Sequence, residues 1–200
     1  MIKIGLTGSI GMGKSETAKI FSDLGVPVYD ADSSVHKLYE AGNKGALAIK
    51  NLYPEAISKD GSVDRKVLAG IVVGNKNKIK KLEETIHPLL QKDRTIFFEK
   101  NINEKMVILD IPLLYETSGE KHLDYVIVVS TSEKIQRERV LRRPDMTNDK
   151  FNKILISQVP NNIKCQKADF IIDTSISIDD AKKQVLNILK EIEQNERNRT

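Results

Sequence analysis

The sequence holds a single cysteine, Cys165, so no intramolecular disulfide can form and a thiolate metal site is excluded. Its three histidines, His36, His87 and His122, are scattered, without the spacing of metal ligands. Long apolar stretches are also missing: the longest uncharged runs are about ten residues, too short to span a bilayer. The start, Met1-Ile2-Lys3-Ile4-Gly5, lacks the basic end, apolar middle and cleavage site of a signal peptide. Aromatics make up 5% of the chain and the net charge is only +4, which together give little support to nucleic-acid binding. No internal repeat and no low-complexity tract stands out. These absences predict a cytoplasmic, globular protein, with no membrane segment and no nucleic-acid partner, and favour a monomer.

What remains is ample for a folded core. The chain has 200 residues, 40% hydrophobic and 30% charged. A chain of this length buries about 70% of the surface its unfolded form exposes, so it needs no covalent or metal staple. The 32 basic residues slightly outnumber the 28 acidic ones, a balance that suits a small polyanionic ligand.

Five short apolar runs read as buried strands: residues 2–6, 26–29, 106–109, 125–129 and 170–172. Most are rich in Val and Ile and nearly continuous, the pattern of strands covered on both faces in a parallel sheet. Helical spacing falls between them, as in Thr17, Ile20, Phe21 and Leu24, with Gly25 as a stop. Leu82, Ile86, Leu89, Leu90 and Phe97 mark a long amphipathic segment, and Ala181, Val185, Ile188, Leu189 and Ile192 mark another, opened by a capping box at Ser177 and Asp180. Strands alternating with helices predict an α/β fold. The spacing is uneven, however. The second and third runs lie so far apart that residues 33–104 are expected to form a helical insertion.

The sharpest motif is Gly8-Ser9-Ile10-Gly11-Met12-Gly13-Lys14-Ser15, which fits G-x-x-x-x-G-K-[ST] between a strand and a helix. Each part has a reason. Gly8, Gly11 and Gly13 let the backbone turn and aim N–H groups at phosphate oxygens, with the Met12 backbone between them. The helix that follows presents its positive end, through Lys14, Ser15 and Glu16, to the same anion. Lys14 adds a mobile charge for the β- and γ-phosphates. The Ser15 hydroxyl suits Mg²⁺, which keeps most of its ligands from water and phosphate. The motif implies a nucleoside triphosphate but not the reaction. A GTPase would carry Asn-Lys-x-Asp, which is absent here. A helical insertion and an arginine-rich segment are what a small-molecule kinase needs, to hold an acceptor and to close over ATP. A nucleotide-dependent switch and a nucleic-acid-binding ATPase are the readings from other classes.

Four other residues are candidates from position. Asp32 lies just past the second strand, at the edge where open α/β sheets bind ligands. It either orients the acceptor hydroxyl and takes its proton, or caps the helix after Ser33. Arg139 and Arg143, four apart, would share a helix face and close over the transferring phosphoryl group. Arg137 and Arg142 would project into solvent. Asp110 ends an apolar run like a Walker-B aspartate and either holds Mg²⁺ or caps a turn.

Several segments, in order, resemble dephospho-CoA kinase, the family that performs the last step of coenzyme A synthesis. They are Gly5-Leu6-Thr7-Gly8-Ser9-Ile10-Gly11-Met12-Gly13-Lys14-Ser15, Leu24-Gly25-Val26-Pro27 with Asp30-Ala31-Asp32, Ile86-His87-Pro88, Asp110-Ile111-Pro112-Leu113-Leu114-Tyr115-Glu116, Gln136-Arg137-Glu138-Arg139-Val140-Leu141-Arg142-Arg143, and the stretch from Ser157-Gln158 to Ala168-Asp169. The resemblance covers about residues 2–174. It implies a three-layer P-loop kinase fold with a five-stranded parallel sheet, a helical substrate-binding insertion and a short lid. The implied domains are a nucleotide-binding core over 1–32, 105–136 and 165–200, an acceptor domain over 33–104 and a lid over 137–164. It implies transfer from Mg·ATP to the ribose 3′-hydroxyl of dephospho-CoA, giving coenzyme A and ADP; another nucleoside or nucleotide kinase is the alternative. Asp32 matches the family's proposed base. His87, which in isolation reads as a packed core residue, and Glu116, which reads as structural, become candidates for the acceptor side. Ser9 and Met12 depart from the family's loop at variable positions. Pro144 follows Arg143 where Asp is common, and Thr174 follows Asp173 where the family often has Asn, a departure that bears on any polar contact there.

Overall fold

A computed structural model describes the backbone of residues 1–199 and the side chains of residues 1–198. β1 (Ile2–Thr7) leads through a loop to α1 (Lys14–Asp23) and β2 (Val28–Asp30). Four helices follow: α2 (Ala31–Leu38), α3 (Lys44–Leu52), α4 (Arg65–Val72) and α5 (Lys76–Lys100). The chain then runs through β3 (Met106–Asp110), β4 (Tyr125–Ser130), α6 (Glu133–Leu141), α7 (Asn148–Ser157), α8 (Asn161–Lys167), β5 (Phe170–Asp173) and α9 (Ile178–Arg199). The strands form one five-stranded sheet in the order β2-β3-β1-β4-β5. β1 lies parallel to both neighbours, with Ile4 beside Ile108 on β3 and beside Tyr125 on β4. β1 is therefore central, which is where ligands gather at the carboxyl ends of such sheets.

Both faces of the sheet are covered, as the continuous apolar runs predict. On one face Ile4, Leu6, Ile108, Ile127, Val129 and Ile172 pack against Ile20 and Phe21 of α1 and Val185, Ile188 and Ile192 of α9. On the other, Val126 and Val128 meet Leu114 and Tyr115. The alternation along β4 follows from the two-residue period of a strand. The strands run one residue beyond the apolar segments on which they were recognised, ending at Thr7, Asp30, Asp110, Ser130 and Asp173. Polar residues thus line the carboxyl edge.

Helix starts follow local chemistry. Asp30, Asp64, Asn75, Ser132 and Thr147 each accept a backbone N–H as side-chain caps. Ser177 likewise accepts from the Asp180 N–H at the start of α9, but the Asp180 carboxylate accepts from Gln184, so the reciprocal half of the capping box is not made. Polar composition predicts fraying over residues 195–200, yet α9 continues to Arg199, and Glu196 is held by the Tyr125 hydroxyl at 2.9 Å. Thr200 lies outside the described residues.

Contacts divide the chain into two units. One comprises Met1–Tyr29 and the residues from Asn103 onward; the other is Asp30–Ile102. The second unit is helical with a small core of its own, built on Ile49, Tyr53, Leu68, Val72 and Ile86, with Leu82, Leu89 and Leu90 alongside.

Candidate active site

The loop between β1 and α1 is fixed from several sides. A Cβ on Gly8 would stand 2.8 Å from the Val129 carbonyl oxygen, so only glycine lets the loop lie on β4. Gly11 and Gly13 adopt φ of 79° and 96°, the left-handed region that side chains avoid. The Met12 side chain is buried and its sulfur accepts the Thr131 N–H, while its carbonyl accepts the Thr174 hydroxyl at 2.8 Å. Met12 thus serves the loop through packing and backbone. At the crown, the Ile10 carbonyl accepts from Gln136 Nε2 at 2.7 Å and the Ile10 N–H donates to Gln158 Oε1 at 3.1 Å.

Helix α1 has no side-chain cap. The amides of Lys14, Ser15 and Glu16 open its first turn, where no carbonyl lies one turn back to accept them. Such amides, with the positive end of the helix dipole, suit a phosphate. Lys14 Nζ donates to Asp110 Oδ1 at 2.5 Å, a charge-assisted bond reaching from α1 to the end of β3. The Ser15 and Glu16 side chains are exposed. Arg139, on α6, donates through Nη1 to the Thr174 hydroxyl at 2.9 Å and through Nη2 to the Thr174 carbonyl at 2.7 Å. One residue, Thr174, therefore joins Arg139 to the phosphate loop. Among the described residues no group of three His, Cys, Asp or Glu side chains is placed to hold a metal. A hydroxyl and a carboxylate, Ser15 and Asp110, nevertheless offer the oxygen donors that Mg²⁺ takes alongside water and phosphate.

A second charged pair lies beyond β3. Lys164 is fully buried and donates to Glu116 Oε1 at 2.9 Å, and the same oxygen accepts the Val159 N–H at 2.8 Å. Lys164 also approaches the Pro112 carbonyl at 3.5 Å, which accepts the Thr7 hydroxyl at 3.1 Å. Burial alone would raise the Glu116 pKa, but the bonds from Lys164 and the Val159 N–H outweigh it and hold the carboxyl below its ordinary value. The neighbouring Tyr115 hydroxyl is pushed up to about 12 by burial and then by the nearby Asp169, Glu120 and Cys165.

The dephospho-CoA kinase family model matches residues 2–180. The chain belongs to the dephospho-CoA kinase family. The dephospho-CoA kinase of Bradyrhizobium diazoefficiens is 49% identical over 191 residues, 94% of each chain. A solved dephospho-CoA kinase from Campylobacter jejuni superposes with a TM-score of 0.64 at 28% identity, covering 95% of this chain and 96% of that one. A crystal structure from Thermus thermophilus reaches a TM-score of 0.81 at 29% identity, over 95% and 97% of the two chains.

Around the loop of this family member the fold gathers Gly8, Gly11, Met12, Gly13, Lys14, Ser15, Glu16, Asp110 and Arg139. Asp32 and His87 belong to the helical unit. Asp30, rather than Asp32, caps α2, accepting the Ser33 N–H at 2.9 Å and the Ser33 hydroxyl at 2.7 Å. Asp32 sits in the first turn, exposed, with no side-chain partner among the described residues. His87 is exposed on α5 rather than packed in a core, because Ile86, Leu89 and Leu90 carry the apolar stripe. Glu116 is engaged by Lys164, as a structural residue would be.

Arg143 does not share a helix face with Arg139. Helix α6 ends at Leu141, and Pro144 disfavours helical backbone at the residue before it. Arg137 is not merely solvated: its guanidinium donates to Asn148 and lies 6.0 Å from the centre of the Phe151 ring. Thr174 makes several polar contacts in spite of its departure from the family's usual residue. Gln136 and Gln158 stand inside the family's motifs but carry no local signal of their role. Lys164 stands in a polar stretch that gives no sign of burial.

Proposed function

We propose that the phosphate loop holds the triphosphate of ATP for transfer of its γ-phosphoryl group to the ribose 3′-hydroxyl of dephospho-CoA. As a dephospho-CoA kinase, the chain makes coenzyme A with ATP. The observation that carries the assignment of roles is the loop itself, with the ammonium of Lys14 waiting at its mouth on Asp110. In this reading the uncapped amides of α1 take up the phosphates and Lys14 moves from Asp110 to a phosphate oxygen. Asp110 and the Ser15 hydroxyl are the residues suited to hold Mg²⁺. That ion, when bound, would offset the negative charge of the phosphates.

Asp32 is the base of this proposal. It matches the family's Asp-Ala-Asp segment, and with Asp30 serving as the cap its carboxylate has no side-chain partner among the described residues. The acceptor oxygen forms a bond to the γ-phosphorus, the bond from that phosphorus to the β-bridging oxygen breaks, and the hydroxyl proton passes to Asp32. Arg139, already fixed beside the loop, offers positive charge where the transferring group spreads negative charge. His87 and Arg143, both exposed, are the residues free to meet the acceptor or the nucleotide from other elements. In this reading the chain is a cytoplasmic monomer acting on two small molecules.

Coupled measurement of ADP release with a panel of acceptors tests it. Release should depend on dephospho-CoA and yield a product phosphorylated at the 3′-hydroxyl. Phosphorylation of nucleosides in its place would overturn the acceptor. ATP hydrolysis independent of any acceptor would favour a switch.

A further inference from the structure

We propose that Gln136 and Gln158 are positioning residues that grip the backbone of Ile10 from its two sides and so make the phosphate loop one body with the helices α6–α8. The inference rests on the reading of that loop as the ATP site and goes beyond it. Ile10 is at the crown of the loop, between Ser9 and Gly11. Its carbonyl takes the amide of Gln136 and its N–H gives to the carbonyl oxygen of Gln158. Both backbone polar groups of this residue are therefore engaged by protein, which leaves phosphate to the other loop amides.

Neither glutamine is a loose surface group. Gln136 is 4% exposed, in the middle of α6, one turn ahead of Arg139. A Cβ on Gly11 would collide with Val140 and stand 3.1 Å from the Gln136 carbonyl oxygen, so α6 lies directly on the loop. Gln158 follows α7 in extended backbone, and its neighbour Val159 is pinned through Glu116 to the buried Lys164. Through Pro112, the same lysine is linked to Thr7 at the end of β1, immediately before the loop. A displacement of α6 would move Arg139 and the Ile10 carbonyl partner together.

The two grips have opposite polarity: position 136 must supply a donor and position 158 an acceptor. A carboxylate can replace the second but not the first. The test is steady-state kinetics with ATP varied, equilibrium binding of ATP, and thermal unfolding, on the full chain. Gln158→Met should raise KM and Kd for ATP roughly three- to tenfold, the scale of one lost hydrogen bond, with the unfolding midpoint close to wild type. Gln158→Glu should recover most of that loss. Gln136→Met and Gln136→Glu should both weaken ATP, and Gln136→Met combined with Gln158→Met should cost less than the product of the single effects, because both act on one residue. Should the buried position 136 fail to tolerate change, the two variants at 158 decide alone. Unchanged ATP affinity in Gln158→Met, or a Gln158→Glu enzyme as impaired as Gln158→Met, would overturn the proposal. A wild-type chain without affinity for ATP would instead contradict the reading of the loop, and this inference with it.

Discussion

Lys14 and Lys164 each meet a carboxylate within the sheet unit, in surroundings that differ. Lys164 is completely buried; its ammonium bonds Glu116 and approaches the Pro112 carbonyl, and the carboxylate is backed by the Val159 N–H. Lys14 retains 16% exposure, and Asp110 is its one hydrogen-bond partner among the described residues. An ammonium has three donors, and Lys14, still partly exposed, can offer one to a phosphate oxygen, whereas Lys164 is enclosed by its own protein at 0% exposure. The first pair stands where the loop opens, and the second ties the segment after β3 to the start of α8. A charge enclosed on all sides by protein acts on the fold; in the proposed reading, one left partly exposed at the carboxyl edge of a sheet is kept for a ligand.

The largest effect expected on this contrast is from Lys14→Ala. ADP formation should fall below detection in a chain that still folds; retained turnover would remove Lys14 from the functional side. In the proposed reading Asp32, exposed and without a side-chain partner among the described residues, is a functional group as well. Asp32→Asn should lower turnover by roughly 10²–10⁴, the range for a general base, with ATP affinity nearly unchanged. A loss below about tenfold would make it a positioning group.

Lys164→Met should behave in the opposite way to Lys14→Ala. Leaving the half-buried Glu116 without its cation should lower stability in denaturant unfolding by up to about 3–5 kcal/mol. Changing both members, Lys164→Met with Glu116→Leu, should restore much of that stability, since an apolar pair leaves no charge uncompensated. Equal stability of Lys164→Met and wild type would break the contrast.

The smallest effect is one of pH. The Glu116 carboxyl is held below its ordinary value of 4.5. Its contribution to stability is therefore complete above 4.5 and is lost as pH falls through the lower, folded value. The stability difference between wild type and Glu116→Gln should be level above that pH and shrink on the acid side. A difference that grew toward acid would mean a raised pKa and a carboxyl without its cation.

Much of the sheet was legible because strands covered on both faces leave continuous apolar runs. Their last residues escaped because Thr7, Asp110, Ser130 and Asp173 are polar, and these end at the edge that carries the site. The phosphate loop was legible because its chemistry fixes residue types at fixed spacing. Reading Arg139 and Arg143 as one helix face failed because that spacing presumes an unbroken helix, and Pro144 ends it. His87 taken in isolation reads as core, and it is exposed instead, because an apolar neighbourhood does not say which face of α5 is covered. Gln136, Gln158 and Lys164 were not legible locally. Their partners, Ile10 and Glu116, lie far away in the chain, and only the folded sheet brings them together.

A crystal structure of the full chain with Mg²⁺ and a non-hydrolysable ATP analogue tests the contrast between the two lysines most directly. Lys14 should leave Asp110 for a phosphate oxygen, while Lys164 stays on Glu116 and Ile10 remains between Gln136 and Gln158. A nucleotide bound with Lys14 still on Asp110, or with the Lys164 pair opened, would contradict the account.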